Sequence, residues 1–239
     1  MVTRSLSLPL LAVIVATVVR TGAAQQAAAS EQQVVARGIG PDRARLGFVN
    51  AIAGSGKVDL LADGHTLKRN IRYARPLAAK SLHAEGYSID VDAAKIGLPY
   101  IDAFTADLQG GRDYTLVAYG NTDSSSPTAA LLVDLPGLLI PKTDVHVLFT
   151  NAVQDSVSAE LSIDDQVVFS NVVSGNYQGP QTINEGKHRV EVKVNGITVF
   201  GPSVQKLKGG ETLNLVLIGT AVEGDGNPLQ LLKSEMKTR

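Results

Sequence analysis

The feature that most constrains this chain is that it repeats itself. Leu46-Gly-Phe-Val-Asn-Ala51 returns as Val147-Leu-Phe-Thr-Asn-Ala152, with Phe48 over Phe149 and Asn50 over Asn151. Val58-Asp-Leu-Leu-Ala-Asp-Gly64 returns as Ala159-Glu-Leu-Ser-Ile-Asp-Asp165, and Asn70-Ile71 as Asn171-Val172. Glu85-Gly86 is matched with Glu185-Gly186, Leu108-Gln-Gly-Gly111 with Leu207-Lys-Gly-Gly210, and Gly120 with Gly219. A period of about 100 residues is too long for a solenoid unit and has the size of a whole small domain. The reading is therefore two copies of one domain, over residues 41–135 and 143–236, joined by a short linker at 136–142 that Pro136 and Pro141 stiffen.

Within each copy the pattern is that of strands. Tyr87, Ile89 and Val91 alternate with Ser88 and Asp90, which puts one apolar and one polar face on an antiparallel sheet. Asn195-Gly196 lies between two alternating runs and predicts a type I′ hairpin, because both residues tolerate positive φ. Asp63-Gly64 is a similar turn and Asp164-Asp165 its weaker counterpart. Turn signals about every ten residues predict an all-β fold: two tandem Ig-like or transthyretin-like antiparallel β-sandwiches of about seven strands each. Ala129–Val133 is matched with Leu229–Lys233 as the closing strand, and Asp92–Gly97 leaves room for one helical turn.

The N-terminus reads as an address. Arg4 precedes an apolar run from Leu6 to Val19, and Gly22-Ala23-Ala24 offers small residues for cleavage before Gln25. The run is shorter than the roughly 20 residues a spanning helix needs, so residues 1–24 are read as a signal peptide and 25–40 as a flexible lead. The expectation is an exported protein, periplasmic or extracellular, with no transmembrane segment in the mature chain. The absence of Cys excludes disulfides, thiolate metal sites and Cys nucleophiles, and suits a bacterial exported protein.

Composition narrows function by exclusion. Twenty-two basic and 23 acidic residues give a net charge of −1, which offers no field for nucleic acid. None of the four His has a His neighbour at metal-ligand spacing, and Gly54-Ser-Gly56 falls in a loop between strands, not at a strand-to-helix elbow. No catalytic, cofactor-binding or metal-binding residue is assigned, and no cofactor is expected. The absence of Trp argues against an aromatic sugar platform. Loop residues that could contact a ligand are Asn50, Asn151, Asp123, Glu223 and Asp225; Glu223-Gly-Asp225 carries carboxylates at alternate positions, as some Ca²⁺ loops do. Asn50 and Asn151 also admit a plainer reading, an Asn that hydrogen-bonds the following turn beside a core Phe.

Val58-Asp-Leu-Leu-Ala-Asp-Gly64, Asn70-Ile-Arg-Tyr73, Glu85-Gly-Tyr87 and Gly111-Arg-Asp-Tyr-Thr-Leu-Val117 resemble domain of unknown function family 4397, over residues from about Arg43 to Leu232. The chain departs from the family pattern at Asn50, where a His is usual, and at Leu213-Asn214, where a Tyr-Thr pair is usual. The resemblance implies an exported tandem β-domain and carries over no functional residues. The function expected is a non-catalytic interaction module of the cell envelope or secreted space, with an unknown protein or envelope polymer as partner and no assigned oligomeric state. A small-ligand or Ca²⁺-assisted binding protein is the alternative, and a hydrolase the second alternative.

Overall fold

The turns predicted from sequence set the hairpins. Asp63 and Gly64 take φ of 48° and 73°, Asp164 and Asp165 50° and 65°, Asn195 and Gly196 49° and 81°, the positive pairs a type I′ turn requires. The structure, a computed structural model, describes residues 40–94, 99–122, 128–135, 140–154, 157–221 and 227–237. The expected signal peptide and lead, and most of the linker, lie outside them. Every regular element among the described residues is a strand. Repeat 1 contains β1 (Arg43–Ala53), β2 (Lys57–Ala62), β3 (His65–Arg72), β4 (Leu77–His83), β5 (Gly86–Ala93), β6 (Pro99–Asp107), β7 (Asp113–Asn121) and β8 (Ala129–Leu135). Repeat 2 contains β9 (Asp144–Val153), β10 (Ser158–Ile163), β11 (Gln166–Val173), β12 (Asn176–Asn184), β13 (Gly186–Val194), β14 (Ile197–Leu207), β15 (Glu211–Gly219) and β16 (Gln230–Lys237).

Each repeat is a sandwich of two four-stranded sheets. The orders β4-β1-β7-β8 and β3-β2-β5-β6 recur as β12-β9-β15-β16 and β11-β10-β13-β14. The eight strands of a copy divide four and four, which corrects the estimate of seven. The antiparallel expectation also needs one correction: β1 pairs with β7, and β9 with β15, in parallel. Between the sheets of repeat 1, Phe48, Ile52, Leu60, Ile89 and Leu116 form a core, and Phe149, Leu161, Phe169, Val192 and Leu215 form its counterpart. Phe149 and Phe169 stack with centroids 6.2 Å apart. Tyr114 is buried in the first core and Tyr87 packs against it.

Two register matches made from sequence shift by one residue. Ala62 pairs with Ile89 while Ile163 pairs with Val190, so Gly86 corresponds to Lys187 and Tyr87 to His188; Glu185-Gly186 is not the equivalent of Glu85-Gly86. In the closing strands Thr115 opposes Val133 and Asn214 opposes Ser234, so Val133 corresponds to Ser234, not Lys233. A one-residue slip carries every side chain to the other face, so these shifts decide which residues are exposed. The suggested helical turn falls partly on β5, with residues 95–98 outside the described ones.

A third core joins the repeats. Val49, Ala51 and Val117 of repeat 1 pack against Leu148, Val216 and Ile218 of repeat 2. The sheets β4-β1-β7-β8 and β12-β9-β15-β16 are therefore covered on both faces, and β1, β7, β9 and β15 are buried almost end to end. Only the outer sheets keep the one-wet-face pattern. Across this interface β1 meets β15 as β9 meets β7, and β4 meets β16 as β12 meets β8. That reciprocity is the mark of an isologous contact about an approximate twofold axis. The described strands form a four-layer stack whose central strands are buried and whose sheet edges and outer faces reach solvent.

Candidate binding surface

The most repeated motif, Phe-x-Asn-Ala, is internal. Asn50 and Asn151 are fully buried. Asn50 Nδ2 donates to the Ile71 carbonyl at 3.4 Å and to Ser55 Oγ at 3.1 Å, and its Oδ1 accepts from the Ile52 amide at 3.1 Å. Asn151 Nδ2 donates to the carbonyls of Val172 at 2.8 Å and Val157 at 2.9 Å, and its Oδ1 accepts from the Val153 amide at 3.1 Å. Each Asn ties the end of the first strand of its repeat to the third, where a polar side chain can be buried because its groups are satisfied. The structure places both with the turn-supporting reading. Asp123, Glu223 and Asp225 lie outside the described residues.

His65 and His83 are exposed and His146 is buried. His188 on β13 has both ring nitrogens engaged. Its Nδ1 lies 2.7 Å from Asp164 Oδ2, and its Nε2 donates to the Asn184 carbonyl at 2.9 Å. The Arg189 amide, at 2.8 Å from Asp164 Oδ1, and then the His188 ring hold the Asp164 carboxyl below its ordinary range. In repeat 1 the equivalent Tyr87 hydroxyl donates to the equivalent carbonyl, of His83, at 3.3 Å. A cleft of about 350 Å³ opens beside His188, lined by Asp164, Gln166, Val168, Thr182, Ile183 and Asn184. At the corresponding place in repeat 1 the Lys80 ammonium donates to the Leu67 carbonyl and bridges β4 to β3. Among the described residues there is no group of three or more His, Asp or Glu that could hold a metal ion.

The outer sheets differ more than the inner ones. Val167 and Val173 on β11, and Ile197 and Val204 on β14, are 55%, 50%, 71% and 67% exposed. Ladder equivalence puts Thr66, Arg72 and Thr105 at the positions of Val167, Val173 and Val204. Polar edge residues of repeat 1 are thus replaced by branched apolar ones on the free edges of repeat 2. The charges differ too. The strands β5 and β6 carry Asp90, Asp92, Asp102 and Asp107 and no cation. Their equivalents β13 and β14 carry Lys187, Arg189, Lys193 and Lys206 against Glu191 alone. Asp59 directly opposes Asp92, and burial, followed by the charges of Asp90, Asp59 and Asp102, raises the Asp92 pKa. This surface was not singled out from sequence. The Val204-for-Thr105 exchange is visible there only once the register is known.

Residues 44–144 match the family described as a domain of unknown function (DUF4397). The resemblance read from sequence is supported over that first repeat, and the strand-for-strand equivalence carries the same fold into the second. No curated protein matches the chain. Among the described residues no helix is long and apolar enough to cross a membrane.

Proposed function

We propose that this chain is an exported, non-catalytic interaction module of the cell envelope or secreted space that engages a partner through the free edges of its outer sheets. The observation that carries the reading is the exposed apolar set Val167, Val173, Ile197 and Val204 on edge strands, the first two and the last of which replace polar Thr66, Arg72 and Thr105 of repeat 1. An edge strand with unpaired backbone groups and apolar side chains is a template for an added strand, and monomeric proteins blunt such edges. The inner sheets are consumed by the contact between repeats, which leaves the outer edges as the surface for recognition.

Two measurements test it. Full-length chain carrying Val167→Lys and Val204→Lys should lose the partner that the unaltered chain cross-links in its own cells; equal cross-linking by both would sink the edge reading. Fractionation of those cells should recover, outside the cytoplasm, a chain beginning near Gln25. A cytoplasmic, uncleaved product would overturn the export part.

The cleft beside His188 favours a second reading, a small ligand held by Asp164, Gln166, Thr182 and Asn184. A ligand that binds only the folded state raises the melting temperature. A screen of small polar compounds in which none shifts the unaltered chain more than it shifts a Thr182→Phe variant would remove this reading.

A further inference from the structure

The structure assigns a partner to the outer edges: we propose that copies of this chain associate head to tail, the acidic β5–β6 edge of repeat 1 in one copy docking against the basic β13–β14 edge of repeat 2 in the next. The inference rests on the interaction-module reading and deepens it by naming the occupant.

Charge complementarity carries it. The two edges occupy equivalent positions in their repeats, yet one is acidic and the other predominantly basic: Asp92 and Asp107 are replaced by Lys193 and Lys206, while neutral Gly86 and Ser88 give way to Lys187 and Arg189. Gly86 and Asp107 are a ladder pair in repeat 1, as Lys187 and Lys206 are in repeat 2. Asp102 and Asp107, like Lys187, Arg189 and Lys206, are exposed.

Both outer sheets also concentrate like charge at a cost to the fold. Lys187 stands directly opposite Lys206 on β13 and β14, and Asp59 of β2 directly opposite Asp92 of β5. Like charges facing each other across two strands are destabilising. A patch of opposite sign on a neighbouring copy relieves both, and Val204, beside Arg189, supplies apolar contact at the same edge.

The layer order places the edges correctly for a chain of copies. The edge strand β6 packs under β8, and β14 under β16. Across the central interface β8 faces β12, whereas β16 faces β4. The acidic and basic edges therefore lie on opposite flanks of the stack. Complementary patches on opposite flanks make a heterologous contact, which does not close on itself as a twofold dimer does.

The test is sedimentation velocity of the full-length exported chain, with two charge-reversed variants. At an ionic strength on the order of 0.01 M, where charges act over roughly 30 Å, the average mass should rise at least about twofold with concentration, and in about 1 M salt it should fall to that of one chain. Lys187→Glu with Lys206→Glu, and separately Asp102→Lys with Asp107→Lys, should each stay monomeric. An equimolar mixture of the two variants should recover the large species. A chain that stays monomeric at low salt, association unchanged in either variant, or a mixture that fails to associate would each overturn the proposal. If the copies do not associate while Val204→Lys still abolishes partner cross-linking, the head-to-tail contact falls and the interaction-module reading stands. If Val204→Lys has no effect on cross-linking, that reading falls as well.

Discussion

Arg45 on β1 grips Asp113 on β7 with two parallel contacts, Nε to Oδ1 and Nη2 to Oδ2, each 2.6 Å. The two residues are ladder partners in the parallel pair at the centre of the inner sheet, and the Asp113 side chain is fully buried. Repeat 2 has His146 and Thr212 at the same positions, so the pair is particular to repeat 1. Arg45→Met removes this guanidinium from the buried Asp113 carboxylate and should destabilise the chain by about 3–5 kcal/mol, because a buried ion pair has been broken on one side. Arg45→Met combined with Asp113→Leu should recover much of that loss. Urea unfolding of the single and double variants checks both.

Asn50→Ala and Asn151→Ala should each cost about 1–3 kcal/mol, since each takes a donor from a carbonyl of the third strand, Ile71 or Val172. The two sites lie in separate repeats and share no partner. Their effects should add within about 0.5 kcal/mol in the double variant. No contact with a ligand is needed for either effect, and chemical denaturation measures it directly.

The opposite sign is expected at Thr150 and Asn214. Thr150 Oγ1 donates to Asn214 Oδ1 at 2.8 Å on the face that meets repeat 1, and the Asn214 Nδ2 is buried without a hydrogen-bond partner. Replacing both groups, Thr150→Val with Asn214→Leu, removes the pair together with the unpaired amide. That exchange should be neutral or stabilising by about 1 kcal/mol. A loss above about 3 kcal/mol in urea unfolding would show that the seam needs its polar groups.

The shared interface makes the repeats one cooperative unit. Leu148→Ala empties space in the central core and should cost about 2–5 kcal/mol. Calorimetry of the unaltered chain should show a single transition, and Leu148→Ala should lower it for both repeats together. Two well-separated transitions in the unaltered chain would contradict a common core.

Asp92 and Asp164 should give opposite pH dependence. The Asp92 pKa is raised in the fold, so its charged form costs stability at neutral pH, and the cost disappears as pH falls through the folded pKa towards the unfolded one. Asp92→Asn should therefore melt higher than the unaltered chain at pH 7 and match it below about pH 3, where both forms are uncharged. The Asp164 pKa is lowered, so its contribution is present above the ordinary carboxylate range and is lost as pH falls through the depressed value. Asp164→Asn should melt lower at pH 7, with the difference closing in acid. Thermal melts across that range check the two signs.

Much of the fold was legible along the chain. The duplication, the three type I′ turns, the Phe48 and Phe149 core positions and the buried face of β5 follow from spacing and turn chemistry. The surface was less legible. Lys187 and Lys206 are plain in the sequence, but their equivalence to Gly86 and Asp107 depends on a register that Glu185-Gly186 disguised. The polar residues Thr115, Thr150 and Asn214 gave no hint that they sit inside an interface.

Local sequence determined which side chains share a strand face and where the chain turns back, because both depend on residues within a few positions of one another. Tertiary structure alone decided that β1 runs parallel to β7, that the inner sheets are covered on both faces, and that Thr115 of repeat 1 meets Ser234 of repeat 2, hydroxyl oxygens 3.5 Å apart. Those outcomes depend on which apolar surface finds which other, a choice among distant segments that hydrophobic burial rewards without regard to direction.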